Sequence, residues 1–552
     1  MKHLFLLLAT TMLTFNVWAQ EFDGAGTADN PYLINNKEDL ARLAVLVNEG
    51  NTEYRDAAYR LTADIDLAGD NWVPIGTSDN PFQGQFDGDN HTIHNLTIKG
   101  TGITYAGLFG YVDSANSEFK NLKFVGGEIQ IDGNSDSNSY AGFLVGYINN
   151  EGKGVDNCSS TGNVTTTAYD YSYVGGLVGR TYSSISNCHS TGDIMVTSVS
   201  VSLAGGLVGE TDSSINDCYA MGDVTATSLS LSAVAGGLVG FSESIINCYA
   251  TGDVMVMSAS PYSYAGGLTG RTHSPINSCY AIGNATTTAS SQAFSGGLIG
   301  RTSSSISDCY ATGDAAATAF YESFAGGLVG QAGSSLPFIS NCYATGDITA
   351  TSYSPYPSSY SYAGGLTGWT SCKTTASVAA NNSLTGEGAN GEVYIGRVAG
   401  ASQPTSIIDC YYRETMVLIG PRNENAVFGQ AATASDLISR AFYANLGWDM
   451  DNIWSIEEGV ELPRLRSIPE QPTSINTSSI ASQENNVRVY YDGNSIVVAG
   501  ANAGETIHIY NVSGALVKTQ NIASPQTSIA LPQGVYIVKV GSAAFKVISS
   551  KF

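Results

Sequence analysis

The phrase Ala-Gly-Gly-Leu-Val-Gly, or a close variant, returns about every thirty residues through the middle of this chain. It reads VGGLVG from Val174, AGGLVG from Ala204 and Ala235, AGGLTG from Ala265, SGGLIG from Ser295, AGGLVG from Ala325 and AGGLTG from Ala363. A second phrase, typified by NCYATGDV at Asn247 to Val254, follows about half a period after each copy except the last. Self-similarity at a fixed period of this size is the signature of a stacked architecture, in which each unit buries its apolar face only against its neighbours.

Alternation within the second phrase assigns its faces. Cys248, Ala250, Gly252 and Val254 are small or apolar, whereas Tyr249, Thr251 and Asp253 between them are not. Period two predicts strand with one dry face and one wet face. The isoleucine three residues before the cysteine (Ile185, Ile215, Ile245, Ile306, Ile339) has the wrong parity to continue that strand. A corner at the intervening Asn or Asp (Asn187, Asp217, Asn247, Asp308, Asn341) restores it, because these residues tolerate the left-handed backbone. The paired glycines predict a second tight corner or a close backbone approach.

Period, corners and short strands together predict an all-β fold, a parallel and right-handed β-solenoid over residues 91–412. The early copies IHNLTIKG (Ile93 to Gly100), YAGLFG from Tyr105 and AGFLVG from Ala141 extend it toward the N-terminus. About eleven coils between Leu96 and Cys410, at about 4.8 Å per layer, make a rod of about 50 Å. Inserts such as SYSPYPSSYSY (Ser352 to Tyr362) predict loops at one corner.

The flanks differ in texture. Residues 1–19, with Lys2, His3, the apolar run LFLLLATTML and small residues at Val17 and Ala19, read as an export signal too short to span a membrane. Residues 20–90 read as an N-terminal cap with one helix, Asn36 its N-cap and Gly50 its stop, with Leu40, Leu43, Ala44 and Val47 on one face. Residues 413–466 read as the second cap, with a helix over DLISRAFYANLG, and the polar stretch 467–485 as a linker. Seven short alternating runs in 486–552, separated by turn residues, predict a small antiparallel β-sandwich.

Charged residues make up only 13% of the chain and the formal net charge is −24. That balance argues against nucleic acid or an anionic membrane surface as partner, since either needs Lys/Arg clusters. No HExxH, GxSxG, phosphate-loop or zinc-type spacing is present, so no catalytic, cofactor or metal residue is assigned and the chain reads as a non-enzyme.

Three columns repeat with the coils. Eight cysteines (Cys158, Cys188, Cys218, Cys248, Cys279, Cys309, Cys342, Cys410) share one, with Cys372 outside it; Leu96 and Leu122 occupy the same column earlier, which favours core filling over disulfides or metal. The aspartates Asp193, Asp223, Asp253, Asp314 and Asp347 read as a solvated face, with weak calcium binding as the alternative. Paired carboxylates can hydrolyse glycosides, but repetition in successive coils argues against an active site. The tyrosines Tyr219, Tyr249, Tyr280, Tyr310 and Tyr343, preceded by His189, are the candidate ligand face: outward rings that stack on one another and could receive a sugar or a partner protein.

The alternation of AGGLVG with NCYATGDV over 105–400 resembles the GLUG-repeat proteins, secreted adhesin-like β-solenoids that also occur beside bacterial IgA-cleaving peptidases. The stretches NPYLINNKEDLARLAVLVN, LTADIDL and FDGDNHTIHNLTI resemble the usual lead-in to such repeats. In the tail, IYNVSGALV, LPQGVYIVKV and the terminal FKVISSKF resemble the C-terminal sorting domain of type IX secretion in Bacteroidota. The resemblances imply a secreted or cell-surface, adhesin-like scaffold. It would be sorted through 486–552, have glycans or host and matrix proteins as partners, and carry no transmembrane segment. A polysaccharide-degrading β-helix enzyme, with 373–466 the region to inspect, and a purely structural surface spacer are the alternatives.

Overall fold

A computed structural model of the chain describes residues 22–468, apart from 134–137, 260, 334–337, 390, 403–406 and 422–428, together with the strands of 488–549. The export signal and almost all of the linker lie outside the described residues. The chain divides into two compact units, residues 1–472 and 473–552.

The first unit is the solenoid, and the coil beginning at Ile185 shows its plan. Ile185–Ser186 lies on the first face, His189–Ser190 on the second, Ile194–Ser198 on the third, Val201–Gly205 on the fourth and Val208–Thr211 on the fifth. Each strand pairs in parallel with its counterpart in the next coil. The five faces thereby become sheets of 13, 13, 11, 10 and 10 strands. The phrase CYATGDV is thus not one strand: Tyr249–Ala250 lies on the second face and Val254–Ser258 on the third. Inward alternation runs on across the corner, which is why it reads as continuous in the sequence.

Each corner has its own device. At the first-to-second corner Asn187, Asp217 and Asn247 adopt φ of 54°, 54° and 55°, and the isoleucine and cysteine on either side both point inward and are buried. The left-handed turn leaves the cysteine N–H facing the next coil, where a sulfur accepts it: Cys188 N–H donates to Cys218 Sγ at 3.3 Å, and Cys218 N–H to Cys248 Sγ at 3.3 Å. Each thiol in turn donates to a carbonyl two residues back, as Cys188 does to Ser186 at 3.0 Å. The column therefore satisfies backbone as well as filling core, and Ser377 plays the same part for Cys342 N–H at 3.2 Å. All nine cysteines are free thiols; burial raises those of Cys188, Cys248 and Cys309, and pushes Cys410 up to about 12.

The aspartates are exposed, but they do more than solvate a face. At the second-to-third corner Asp193 Oδ1 accepts the N–H of Asp223 at 3.0 Å, Asp223 that of Asp253 at 2.9 Å, and Asp314 that of Asp347 at 2.7 Å. Asn163 and Asn284 continue this ladder where the sequence has no aspartate. The long inserts sit at the third-to-fourth corner, as 353–359 does between Ile348–Ser352 and Tyr360–Gly364. At the fifth-to-first corner a buried threonine accepts the N–H two residues on, as Thr181 does from Ser183 at 2.8 Å.

The paired glycines form the fourth-to-fifth corner without positive φ. They are required by close approach: a Cβ on Gly205 would lie 1.9 Å from the Val208 carbonyl oxygen, and one on Gly206 2.1 Å from that of Gly237.

Stacking begins earlier than residue 91. Tyr32–Ile34 and Ala58–Leu61 already belong to the first-face sheet, where Phe82, Phe86 and Phe109 fill a core that lacks the small-residue repeat. Helix α1 (Lys37–Asn48) lies in this region as expected: the Asn36 side chain accepts the Asp39 N–H at 2.9 Å, and Leu40, Leu43, Ala44 and Val47 are buried. One further turn, α2 (Thr52–Arg55), follows it. At the other end the single helix expected over Asp436–Gly447 is two short ones, α3 (Ala434–Leu437) and α4 (Arg440–Asn445). A capping box between Thr433 and Asp436 starts α3 two residues early, and the chain leaves helical geometry at Ser439.

The second unit consists of two antiparallel sheets. One holds Arg488–Tyr491, Ile496–Ala499 and Gln526–Ile529; the other holds Leu516–Asn521, Thr506–Asn511, Gly534–Val540 and Ala543–Ser549. Ile496, Val498, Ile507, Ile509, Ile529 and Val538 form its core, so the seven runs read in the sequence are seven strands.

Candidate ligand-binding seam

The tyrosine column is a real stack. His189, Tyr219, Tyr249, Tyr280, Tyr310 and Tyr343 follow one another at 4.6 to 4.9 Å, with ring planes within 7°. It is not, however, an open face along its length. Tyr219 and Tyr249 are half-buried, whereas Tyr280, Tyr310 and Tyr343 are fully buried. The chain after α4 folds back over the last rungs: Trp454 sits 6.3 Å from Tyr310 and 6.1 Å from Tyr343, and the Tyr343 hydroxyl donates to the Pro463 carbonyl at 2.8 Å. The column's sequence pattern cannot reveal this cover, because it is supplied from more than a hundred residues away.

A second aromatic column was not singled out in the sequence. On the fourth face Tyr105, Tyr140, Tyr173, Leu203, Val234, Tyr264, Phe294, Phe324, Tyr362 and Tyr394 are register partners. Each stands immediately before the glycine phrase, or one residue earlier than its Ala, where strand parity turns it outward. Tyr264, Phe294, Phe324 and Tyr362 stack at 4.8 to 4.9 Å with planes within 9°.

These rings meet the outward column of the fifth face across the glycine corner, in a cluster separate from the solenoid core. The corner is therefore re-entrant, and the absent Cβ of Gly205 and its equivalents lets the two faces close on each other. The fifth-face column runs Arg180, Glu210, Phe241, Arg271, Arg301, Gln331, Trp369. Arg180 Cζ lies 5.1 Å over the Tyr173 ring, Arg271 5.8 Å over Tyr264 and Arg301 5.5 Å over Phe294. The fifth-face side chains are half-buried and form the accessible lip of the seam. The recurring residue seven positions before each arginine was the available signal: Tyr173/Arg180, Tyr264/Arg271, Phe294/Arg301.

Charge is distributed unevenly along the seam. Arg180 is neutralised by Glu210 at 3.1 Å and Asp212 at 3.4 Å. Burial in the seam pushes the Glu210 carboxyl up to about 7, against the pull of Arg180 and with Asp212 adding to the rise. Because the folded value exceeds the unfolded one, this group stabilises the fold fully below about pH 4.3, and the contribution is lost as pH rises toward 7. The stability difference between Glu210→Gln and the parent is accordingly expected to shift in favour of the variant between pH 4.5 and 7.5, as read by denaturant titration at each pH; a pH-independent difference contradicts it.

A separate cleft of about 610 Å³ lies between α1 and residues 67–73. Its charged rim is self-paired through Lys37 and Asp70 at 3.1 Å.

Comparison with known proteins matches residues 170–195 and 232–255 to the GLUG motif. Two stretches of the solenoid carry the GLUG motif. The matched segments include the Tyr173/Arg180 rung and the glycine corner of the coil around Gly236, so the motif contributes to the seam in those coils. Residues 474–549 match a domain of unknown function, DUF6383. Halomucin of Haloquadratum walsbyi is 32% identical over 176 residues, covering 29% of this chain and 2% of that one. A protein of Evansella cellulosilytica provisionally named as a Gly-rich membrane protein is 34% identical over 137 residues, covering 25% of this chain and 15% of its own length. This chain thus spans only a small part of either relative. A solved structure from Bacteroides ovatus, provisionally assigned as an immunoglobulin A1 protease, is 22% identical and covers 80% of this chain and 94% of that one. Its TM-score of 0.27 carries no argument about activity. Among the described residues no helix is long and apolar enough to cross a membrane.

Proposed function

We propose that this GLUG-repeat solenoid is a non-enzymatic, adhesin-like protein that works outside the cell, secreted or attached to the outer surface. In this reading it holds an extended partner, a glycan or a matrix protein, along the fourth-to-fifth-face seam. The observation that carries the reading is the half-buried lip of aromatic and cationic side chains on the fifth face, backed by the largely buried aromatic column of the fourth. The buried column holds that lip rigid, so that its rings and guanidinium groups meet a partner at little entropic cost. The half-buried end of the tyrosine column, Tyr219 and Tyr249, is a smaller platform of the same kind. A glycan and matrix-protein array probed with the full chain tests the reading; binding to no member of either set contradicts it.

Delivery is assigned in the same proposal to residues 486–552, read by the type IX secretion machinery. The support is the resemblance carried by IYNVSGALV and LPQGVYIVKV and the independent sandwich those strands form. Deleting 486–552 is expected to leave the protein inside the cell envelope, as judged by surface labelling and fractionation. Undiminished surface display of the truncated chain would contradict the assignment.

A further inference from the structure

Arg271 and Arg301 occupy adjacent rungs of the fifth face and are register partners. Among the described residues neither pairs with a carboxylate, whereas Arg180 on the same column pairs with two. The Nε of Arg271 is buried without a hydrogen-bond partner. Two like charges on successive layers of a half-buried seam repel each other, and water screens them less there than on an open surface. This happens in a chain of net charge −24 with only 24 Lys and Arg in all; Glu243, which like both arginines acts on His273, accepts a hydrogen bond from Ser274 instead.

The rungs on either side complete a pattern. Phe241 precedes the two arginines and Gln331 and Trp369 follow them, all half-buried on the same outward column. Arg271 Cζ also lies 5.9 Å over the Phe241 ring. An aromatic ring at each end, two planar cations and an amide between them match a chain of sugar rings that carries carboxylates. The rings stack on Phe241 and Trp369, and the guanidinium forks take carboxylate oxygens two at a time.

We propose that the segment from Phe241 to Trp369 of the fifth face is a binding site for an acidic, uronate-bearing polysaccharide. This rests on the adhesin reading above and names its ligand class. The neutralised Arg180–Glu210 rung would lie outside the charged part of the site.

The test uses the full chain and polygalacturonate oligosaccharides, with neutral galactan and dextran sulfate as comparators, followed by calorimetry at low and at physiological salt. The parent protein is expected to bind polygalacturonate, more weakly at higher salt, and galactan at least tenfold less well. Arg271→Gln/Arg301→Gln is expected to lose at least tenfold in polygalacturonate affinity. Arg271→Lys/Arg301→Lys, which keeps charge but not the planar fork, should fall between the two. Thermal melts of each variant separate lost binding from lost fold. Absence of polygalacturonate binding, equal affinity for galactan, preference for dextran sulfate, or an Arg→Gln double variant that folds and binds as the parent does would each overturn the proposal. A ligand found on the array that is lost with Phe241→Ser/Trp369→Ser but not with the arginine variants would overturn the uronate assignment while leaving the adhesin reading standing.

Discussion

Replacing Gly252 with alanine is expected to destabilise the solenoid by about 3 kcal/mol or more, at the upper end of what overpacking costs. The added Cβ would sit 2.0 Å from the Gly222 carbonyl oxygen and 2.5 Å from its carbon. Both are backbone atoms of the neighbouring coil, so no rotamer change relieves the clash and the two coils must separate at the second-to-third corner. There the Asp223 carboxylate accepts the Asp253 N–H at 2.9 Å, and that bond is lost with the contact. Because repeats hold each other only through nearest neighbours, the damage should be local. Hydrogen exchange should accelerate first in Val224–Ser228 and Val254–Ser258. Gly333→Ala is the control: among the described residues its Cβ would meet nothing closer than a Trp369 ring atom at 3.9 Å, so it should be neutral or slightly stabilising. Equal stability of the two variants would contradict the close-packed reading of the glycine columns.

Trp454→Ala is the second large effect. Trp454 is fully buried, packs at a tilt against Trp448 with ring centroids 4.7 Å apart, and covers Tyr310 and Tyr343. Its indole N–H donates to Asp308 Oδ1 at 3.2 Å, on a carboxyl that burial already raises. Truncation removes the largest side chain of the cover and one of the hydrogen bonds that hold this buried carboxylate, and should cost about 3–5 kcal/mol. The loss should release residues 448–466 from the second face and open Tyr310 and Tyr343 to solvent. Faster exchange in Tyr310–Ala311 and Tyr343–Ala344 and a lower midpoint of unfolding would report it. Trp454→Phe, which keeps a ring but not the N–H, should recover more than half of the difference. A variant that loses less than about 1 kcal/mol would mean that the cover is not part of the folded unit.

The coil plan is legible in the sequence because each column repeats one physical requirement. Left-handed corners at Asn187 and Asp217, inward cysteines, and helix α1 with its Asn36 cap all follow from local chemistry that a repeat displays many times. Two things were not legible for the same reason. The start of stacking at Tyr32–Ile34 lacks the repeated phrase, since aromatic residues close that end of the core in place of small ones. The cover over Tyr310 and Tyr343 comes from a segment outside the repeat, so the column reads as uniformly outward when only its first members are accessible. The seam lay in plain view as a residue before each glycine phrase and another seven positions later. It is recognisable only once the glycine corner is known to be re-entrant, which brings two outward columns into contact. The aspartate and cysteine columns sit where their sequence reading puts them, exposed and buried respectively, and each has a further role for one shared reason: corner backbone N–H groups need acceptors, and side chains of the adjacent coil supply them.

The central claim is that the seam, rather than the tyrosine column, is where a partner is held. The most direct measurement compares array binding of the parent with that of Phe241→Ser/Trp369→Ser and of Tyr219→Ser/Tyr249→Ser, each verified as folded. The account predicts that the seam variant loses at least tenfold in affinity for whatever the parent binds, while the tyrosine variant stays within threefold. Loss confined to the tyrosine variant would contradict it.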